Sequence, residues 1–274
     1  MEIIKDKISV IMAVYNCENT VAESIDSIVA QTYTNWEFVI CDDCSTDGTL
    51  AIVKGYQEKY PDKFIVIQND VNSKLAFSLN HCLEYADGEY VARMDGDDLS
   101  EPTRFEKQIA FLKEHSDIQL VSTAMQRFSE EGKGMVDRKP PYPDKYTLRH
   151  DVPFNHATIM TYKSMYDALG GYTVAKRTER GQDYDLWFRF FAAGYKGANM
   201  EEPLYWVRED INAIKRRTFK VRWSIFQTTR FGYKLLGFPK WWIVMEALKV
   251  LFKSLVPSKA VLAYRKWQTH SKEE

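Results

Sequence analysis

The run Tyr90-Val91-Ala92-Arg93-Met94-Asp95-Gly96-Asp97-Asp98 reads as a buried strand that opens onto an acidic turn. A short apolar stretch ending in polar residues is where α/β sheets place their ligand-binding loops. Three carboxylates in four residues repel one another, each pair by about 4 kcal/mol at ~4 Å and an effective dielectric of ~20. A hard divalent cation relieves that repulsion, since Mg²⁺ and Mn²⁺ take oxygen ligands and often share them with a substrate's phosphates. A solvated acidic turn would look the same in isolation, so the flanking sequence has to decide.

Toward the amino terminus the strand-to-polar-loop pattern recurs. Residues 8–14 form an apolar run of strand length, and residues 20–31 carry Val21, Ile25, Ile28 and Val29 at helical spacing. Residues 36–40 make a second strand ending at Asp42. Asp47 then caps a helix whose apolar positions are Leu50, Ile52, Val53 and Tyr56. A third strand over 64–67 and a third helix over 73–85 lead into the fourth strand, 90–94. Alternation of this kind predicts βαβ units, an α/β fold with a mostly parallel sheet flanked by helices. Neither GxGxxG nor GxxxxGK[ST] occurs, which excludes the usual dinucleotide fingerprint and the P-loop.

A parallel sheet gathers the carboxyl ends of its strands on one rim. Val14-Tyr15-Asn16, Asp42-Asp43 and the Asp95 to Asp98 turn should therefore converge. Asp42 suits a hydrogen bond from the ring N–H of a base, and Tyr15 suits stacking on that base. Beyond Pro102 the spacing predicts a helix over 104–114, strands over 118–124 and 157–162, and an amphipathic helix over 183–193. The polar, Pro-rich stretch 129–151 suits a mobile loop.

The 45% hydrophobic and 27% charged composition is that of a globular chain. Its net charge of −1 hides an asymmetry: residues 215–274 hold 14 Lys and Arg against 3 Asp and Glu. This basic tail is helical in pattern and carries Trp223, Trp241, Trp242 and Trp267. It suits either packing on the body or peripheral contact with an anionic membrane. No motif supports nucleic acid as its partner. Glu246, Lys249 and Lys253 interrupt its apolar stretch, which argues against a spanning helix. The amino terminus shows no signal-peptide pattern. Four cysteines, Cys17, Cys41, Cys44 and Cys82, are too few for a disulfide framework, and the expected setting is cytoplasmic.

Five segments in order and spacing resemble the family 2 inverting glycosyltransferases. They are Ser9-Val10-Ile11-Met12-Ala13-Val14-Tyr15-Asn16, Asp42-Asp43-Cys44-Ser45-Thr46-Asp47-Gly48-Thr49, Leu75-Ala76-Phe77-Ser78-Leu79-Asn80, Ala92-Arg93-Met94-Asp95-Gly96-Asp97-Asp98 and Gln182-Asp183-Tyr184-Asp185-Leu186-Trp187. The resemblance covers about residues 8 to 207. It implies a Rossmann-like GT-A fold with a helical C-terminal extension, and a nucleotide-diphosphate sugar donor, a UDP-sugar. The acceptor it implies is a saccharide or lipid-diphosphate-linked saccharide, as in bacterial capsule or lipopolysaccharide assembly. Residues 1–214 would form the transferase domain, 1–100 its nucleotide half and 101–214 its acceptor half, with 215–274 as the extension.

Carried over by position, Val14, Tyr15, Asn16, Asp42, Asp43, Lys74, Asn80, Arg93, Asp95, Gly96 and Asp97 would bind the donor. Asp97, Asp98 and His156 would hold Mn²⁺ or Mg²⁺. Asp183 would be the general base, Asp185 a second candidate for that role, and Arg177 and Arg180 a clamp on the diphosphate. Two departures stand out: Gln182 replaces the family's Glu, and Lys74 stands where the family tends to have Gly. A nucleotidyltransferase would instead place a Gly-rich basic loop at Tyr15-Asn16-Cys17-Glu18. A non-catalytic sugar-nucleotide-binding module would not need Asp183.

Overall fold

The second strand is buried along all seven of its residues, Trp36 to Asp42, which explains why it shows no alternation of polar and apolar side chains. In the computed structural model, which describes residues 2–209 and 218–255, it is β2 of a mixed sheet. The first half runs β1 (Ile4–Val14), α1 (Val21–Val29), β2 (Trp36–Asp42), α2 (Thr49–Lys59), β3 (Phe64–Gln68), α3 (Leu75–Tyr85) and β4 (Gly88–Arg93). The second half adds β5 (Leu99–Ser100), α4 (Arg104–Glu114), β6 (Leu120–Ser129), β7 (Gly132–Asp137), β8 (Met160–Tyr162), α5 (Lys163–Leu169), α6 (Gln182–Ala192) and β9 (Gly197–Arg208). Helices α7 (Phe219–Leu235) and α8 (Lys240–Leu255) form the helical extension.

The strand order is β3-β2-β1-β4-β8-β6-β9-β5, and β7 pairs with the later part of β6, from Met125 to Ser129. β3, β2, β1 and β4 are mutually parallel, and Val14 pairs with Asp42, which pairs in turn with Gln68. The polar ends of β1 and β2 are thereby brought side by side. Parallel pairing returns at β6–β9, but β8 runs antiparallel to both β4 and β6. The sheet is continuous across both halves. The expected boundary at 214 lies outside the described residues.

Side-chain alternation in β1 splits the core into two layers. Ile8, Val10, Met12 and Val14 pack with α1, α2 and α4 on one face. Ile11 packs on the other with α3, α6 and α7. Helices on both faces are the α/β arrangement that the strand–helix alternation implies.

The structure corrects one expectation and adds a strand. The stretch 129–151 is not a free loop: β7 pairs with β6, and Leu148 is fully buried. Asn199 fastens it further, donating from its backbone to Pro141 O at 2.7 Å and from its amide to Pro140 O at 2.6 Å. Strand β9 was hidden by Glu201, Glu202 and Pro203. Proline removes a ladder donor, and the β6–β9 register shifts where Pro203 meets Ala124. At the extension, Gly232 lets α7 press onto α6, since a Cβ there would fall 2.0 Å from the Phe188 ring.

Candidate active site

The rim of β1, β2 and β4 is built by crossed hydrogen bonds between loops. Asn16, left-handed at φ +50, donates its N–H to Ser45 Oγ at 3.0 Å and accepts from Thr46 N–H at 2.8 Å. This fastens the β1 loop to the β2 loop and leaves Tyr15 half exposed beside them. Asp42 is wholly buried; its Oδ2 accepts from Ser45 N–H at 3.0 Å, whereas Oδ1 has no partner. A buried acceptor without a donor is costly, and a ring N–H from a stacked base would satisfy it once the rim opens to expose that oxygen. Asp43 is taken up internally, accepting from Asn69 Nδ2, Ser73 N–H and Lys74 N–H at 2.7 to 2.9 Å. It shapes the rim by holding Lys74 in place.

Lys74 itself adopts φ 72 and ψ 164, a conformation otherwise reserved for glycine. A glycine is therefore the unstrained choice here, and Lys74 carries an ammonium group at the cost of backbone strain. It lines a cavity of about 720 Å³ together with Tyr15 and Asp43 from the first half, Lys176, Arg180 and Gln182 from the second, and Lys220 and Trp223 from α7. Four cations, against the carboxylates of Asp43 and Glu179, thus line one cleft that opens from the nucleotide-type rim.

At the end of β4 the acidic turn presses against β1. Gly96 permits this, because a Cβ there would lie 3.0 Å from Val14 Cγ1 and 3.1 Å from Cys17 Sγ. The three carboxylates have different fates. Asp95 pairs with the buried Arg93 at 2.5 Å. Asp98 is 3% exposed and accepts from Arg208 N–H at 2.8 Å. Asp97 is exposed, and its carbonyl accepts from Arg208 Nε at 2.9 Å. Desolvation, reinforced by Asp95 and Asp97, pushes Asp98 up to about 8. Surrounding protein and then Asp95 raise Asp97 as well. The turn is short of positive charge, which a divalent cation would supply, so the donor set fits a hard metal ion. Among the described residues no three His, Cys, Asp or Glu side chains form a metal cage. Such an ion would complete its shell with substrate oxygens, as Mg²⁺ commonly does.

The third wall is the start of α6. Gly181, left-handed at φ +92, turns the chain into the helix, and Asp183 and Asp185 occupy its first turn, where the helix dipole favours carboxylates. Burial raises the Asp183 carboxyl, partly offset by the N–H of Tyr184 and by the charge of Arg93. Gln182 and Asp183 are neighbours but line different cavities. Gln182 faces the 720 Å³ cleft, and Asp183 faces a second space of about 500 Å³ that also contains Arg149, Tyr184, Tyr233 and Lys249. The helix start is a partition between the two cavities.

Asp185 is wholly buried and is not available as a base. It ion-pairs with Arg177 and with Arg189, the latter at 2.8 Å, and accepts from Thr173 Oγ1 at 2.6 Å. Burial alone would raise its carboxyl, but Thr173 and the two arginines outweigh that and lower it. Arg177 is therefore committed to Asp185 and stacks over Phe231 at 4.2 Å, while Arg180 reaches the cleft. The Arg177 carbonyl accepts from Ser224 and Thr228, so α7 is stapled to the loop that carries Arg180.

Two further sequence candidates lie apart from the cleft. Asn80 spends both amide atoms on the backbone of Tyr172, at 2.7 and 2.8 Å, and borders a different cavity. His156 is buried against Trp187 with Nε2 2.8 Å from Tyr172 Oη, and desolvation followed by the Arg93 charge holds it well below the usual imidazole range. It is neutral and structurally engaged. Residues not singled out from the sequence complete the site: Tyr205, whose hydroxyl accepts from Asp95 N–H at 3.1 Å, Arg208, Lys176, Lys220 and Trp223. Tyr205 and Arg208 come from β9, whose existence the sequence concealed.

A family model described as "Glycosyl transferase family 2" matches residues 9–170. The chain is 53% identical over 213 residues to the putative glycosyltransferase EpsE of Bacillus subtilis (strain 168), covering 78% of this chain and 77% of that one. Its fold is similar to S. aureus TarS 1–349 in complex with UDP-GlcNAc, with a TM-score of 0.68 and 21% identity, over 84% of this chain and 66% of that one. It is also similar to mannosyltransferase PcManGT from Pyrobaculum calidifontis in complex with GDP-Man and Mn²⁺, with a TM-score of 0.62 and 21% identity over 96% and 83%. The five motif segments, the mixed α/β fold and these likenesses agree: the chain belongs to glycosyl transferase family 2.

Proposed function

We propose that this glycosyltransferase moves a sugar, with inversion, from a UDP-sugar to a hydroxyl of a saccharide or lipid-diphosphate-linked saccharide during assembly of a bacterial surface polysaccharide. One observation carries this reading: adjacent residues at the start of α6 line two separate cavities, with Asp183 on the side away from the nucleotide rim. Displacement at an anomeric carbon needs a base on the face opposite the leaving group.

Asp183 takes the proton of the acceptor hydroxyl as that oxygen attacks the anomeric carbon, so the configuration inverts. Its raised pKa makes it a stronger base than an ordinary aspartate. Tyr15 stacks on the base and Asp42 Oδ1 receives the ring N–H. Lys74, Lys176, Arg180 and Lys220 hold the diphosphate electrostatically. Asp97, and Asp98 beside it, would hold Mn²⁺ or Mg²⁺. When bound, that ion supplies Lewis-acid neutralisation of the departing diphosphate. His156, engaged with Tyr172, contributes by packing beneath this wall.

The reading is tested by screening UDP- and GDP-sugars for thermal stabilisation and hydrolysis with and without Mn²⁺. A metal-enhanced response to at least one nucleotide sugar is expected. Indifference to every nucleotide sugar, with Mn²⁺ present, would contradict it.

A further inference from the structure

α8 is apolar on two opposite sides. Its inner side, with Trp242 and Ile243, packs on the core that contains α6 and α7. Its outer side presents Trp241, Val244, Met245, Leu248, Leu251 and Phe252, each between 43% and 67% exposed. At about 100° per residue these six fall within an arc of roughly 120°. Lys240 and Lys249, both exposed, flank that arc on its two edges. A surface helix ordinarily turns polar residues outward, so six large apolar side chains in one stripe mark an interaction surface.

Charge selects the occupant. Residues 218–255 contain seven Lys and Arg against a single acidic residue, Glu246. Glu246 is half buried and already paired with Lys249 at 2.6 Å. Lys220, Arg230, Lys234, Lys240 and Lys249 are exposed. A second copy of this face would set cation against cation, whereas an anionic lipid surface accepts both the apolar arc and its lysine edges. Arg149 lies 5.8 Å from the Trp241 ring centroid, setting a cation beside the aromatic at the start of the stripe, where tryptophan favours headgroup depth. Among the described residues no helix is long and apolar enough to cross a membrane. The geometry suits a helix lying in the interfacial plane.

We propose that α8 docks the protein on an anionic bilayer, with the Trp241 to Phe252 stripe among the acyl chains and Lys240 and Lys249 at the headgroups. The same helix contributes Glu246 and Lys249 to the cavity that holds Asp183, so docking brings that cavity to the membrane surface. The docking surface stands without the assigned reaction; delivery of a lipid-linked acceptor to Asp183 rests on it.

The experiment is flotation of the full-length protein with vesicles of phosphatidylcholine alone or mixed with phosphatidylglycerol. Binding is expected only with phosphatidylglycerol and should weaken as salt rises. The double variant Leu248→Asp/Phe252→Asp should bind roughly tenfold or more weakly, with unchanged melting temperature and nucleotide-sugar hydrolysis. Brominated lipids should quench the tryptophan emission of the unmodified protein, and Trp241→Phe should reduce that quenching. Absence of vesicle binding, absence of quenching, or equal binding by the double variant would overturn the proposal. So would a dimer that the double variant dissociates without altering vesicle binding. Loss of nucleotide-sugar hydrolysis in the unmodified protein with vesicle binding intact would instead count against the assigned reaction alone.

Discussion

Lys74 shows how one side chain can be placed against the preference of its own backbone. Its φ of 72 and ψ of 164 cost about 1–3 kcal/mol for a non-glycine residue. Lys74→Gly should therefore raise the melting temperature while weakening donor affinity, measured by calorimetric titration with the preferred nucleotide sugar; unchanged affinity would exclude a diphosphate role. The acidic turn makes a second claim at this scale. Asp98 binds its proton more tightly folded than unfolded, so without a cation stability falls as pH rises from the unfolded value of about 4 toward the folded value of about 8. A cation competes with that proton. Mn²⁺ should raise the melting temperature more at pH 8 than at pH 5, and Asp97→Ala should blunt the effect. Equal shifts at both pH values would contradict metal binding at this turn.

At the scale of elements, α6 does two jobs through adjacent carboxylates. Asp183 faces a cavity, while Asp185 locks Arg177 and Arg189 from within. Asp185→Asn leaves two arginines short of a buried counter-charge and should destabilise the fold by roughly 3–5 kcal/mol, seen as a lowered denaturant midpoint. Because the folded Asp185 carboxyl is lowered, its contribution is present above the unfolded pKa and lost as pH falls through the lower folded value. Acid denaturation of the variant should lack that component. The contrast between these two aspartates was invisible in Gln182-Asp183-Tyr184-Asp185, where both were candidate bases. Spacing put them in one helical turn, but only the packing of Thr173, Arg177 and Arg189 separates a base from an anchor. Asn80 and His156 were open for the same reason, since a polar residue beside a motif does not reveal whether Tyr172 has already engaged it.

Across the whole molecule, the first hundred residues were legible because each strand and helix there is local and periodic. Tyr15, Asp42 and the Asp95 to Asp98 turn could be assigned to one rim from strand order alone. The second half resisted, because β9 reaches the site through a Pro203 bulge and long-range pairing with β6. Tyr205 and Arg208, which hold Asp95 and Asp98, arrived with it. The extension contributes to both cavities: α7 supplies Lys220 and Trp223 to the 720 Å³ cleft, and α8 supplies Lys249 to the other. The transferase body and its basic tail thus line both cavities together. With Asp183 as the base, its carboxylate has to be ionised, so activity should fall as pH drops through its raised pKa.

The most direct test of Asp183 as the base is to measure donor affinity and turnover together in Asp183→Asn. Donor affinity within about twofold of the unmodified protein, with turnover reduced on the order of 10²–10⁴-fold, is the expected result. Turnover equal to that of the unmodified protein would contradict the assignment.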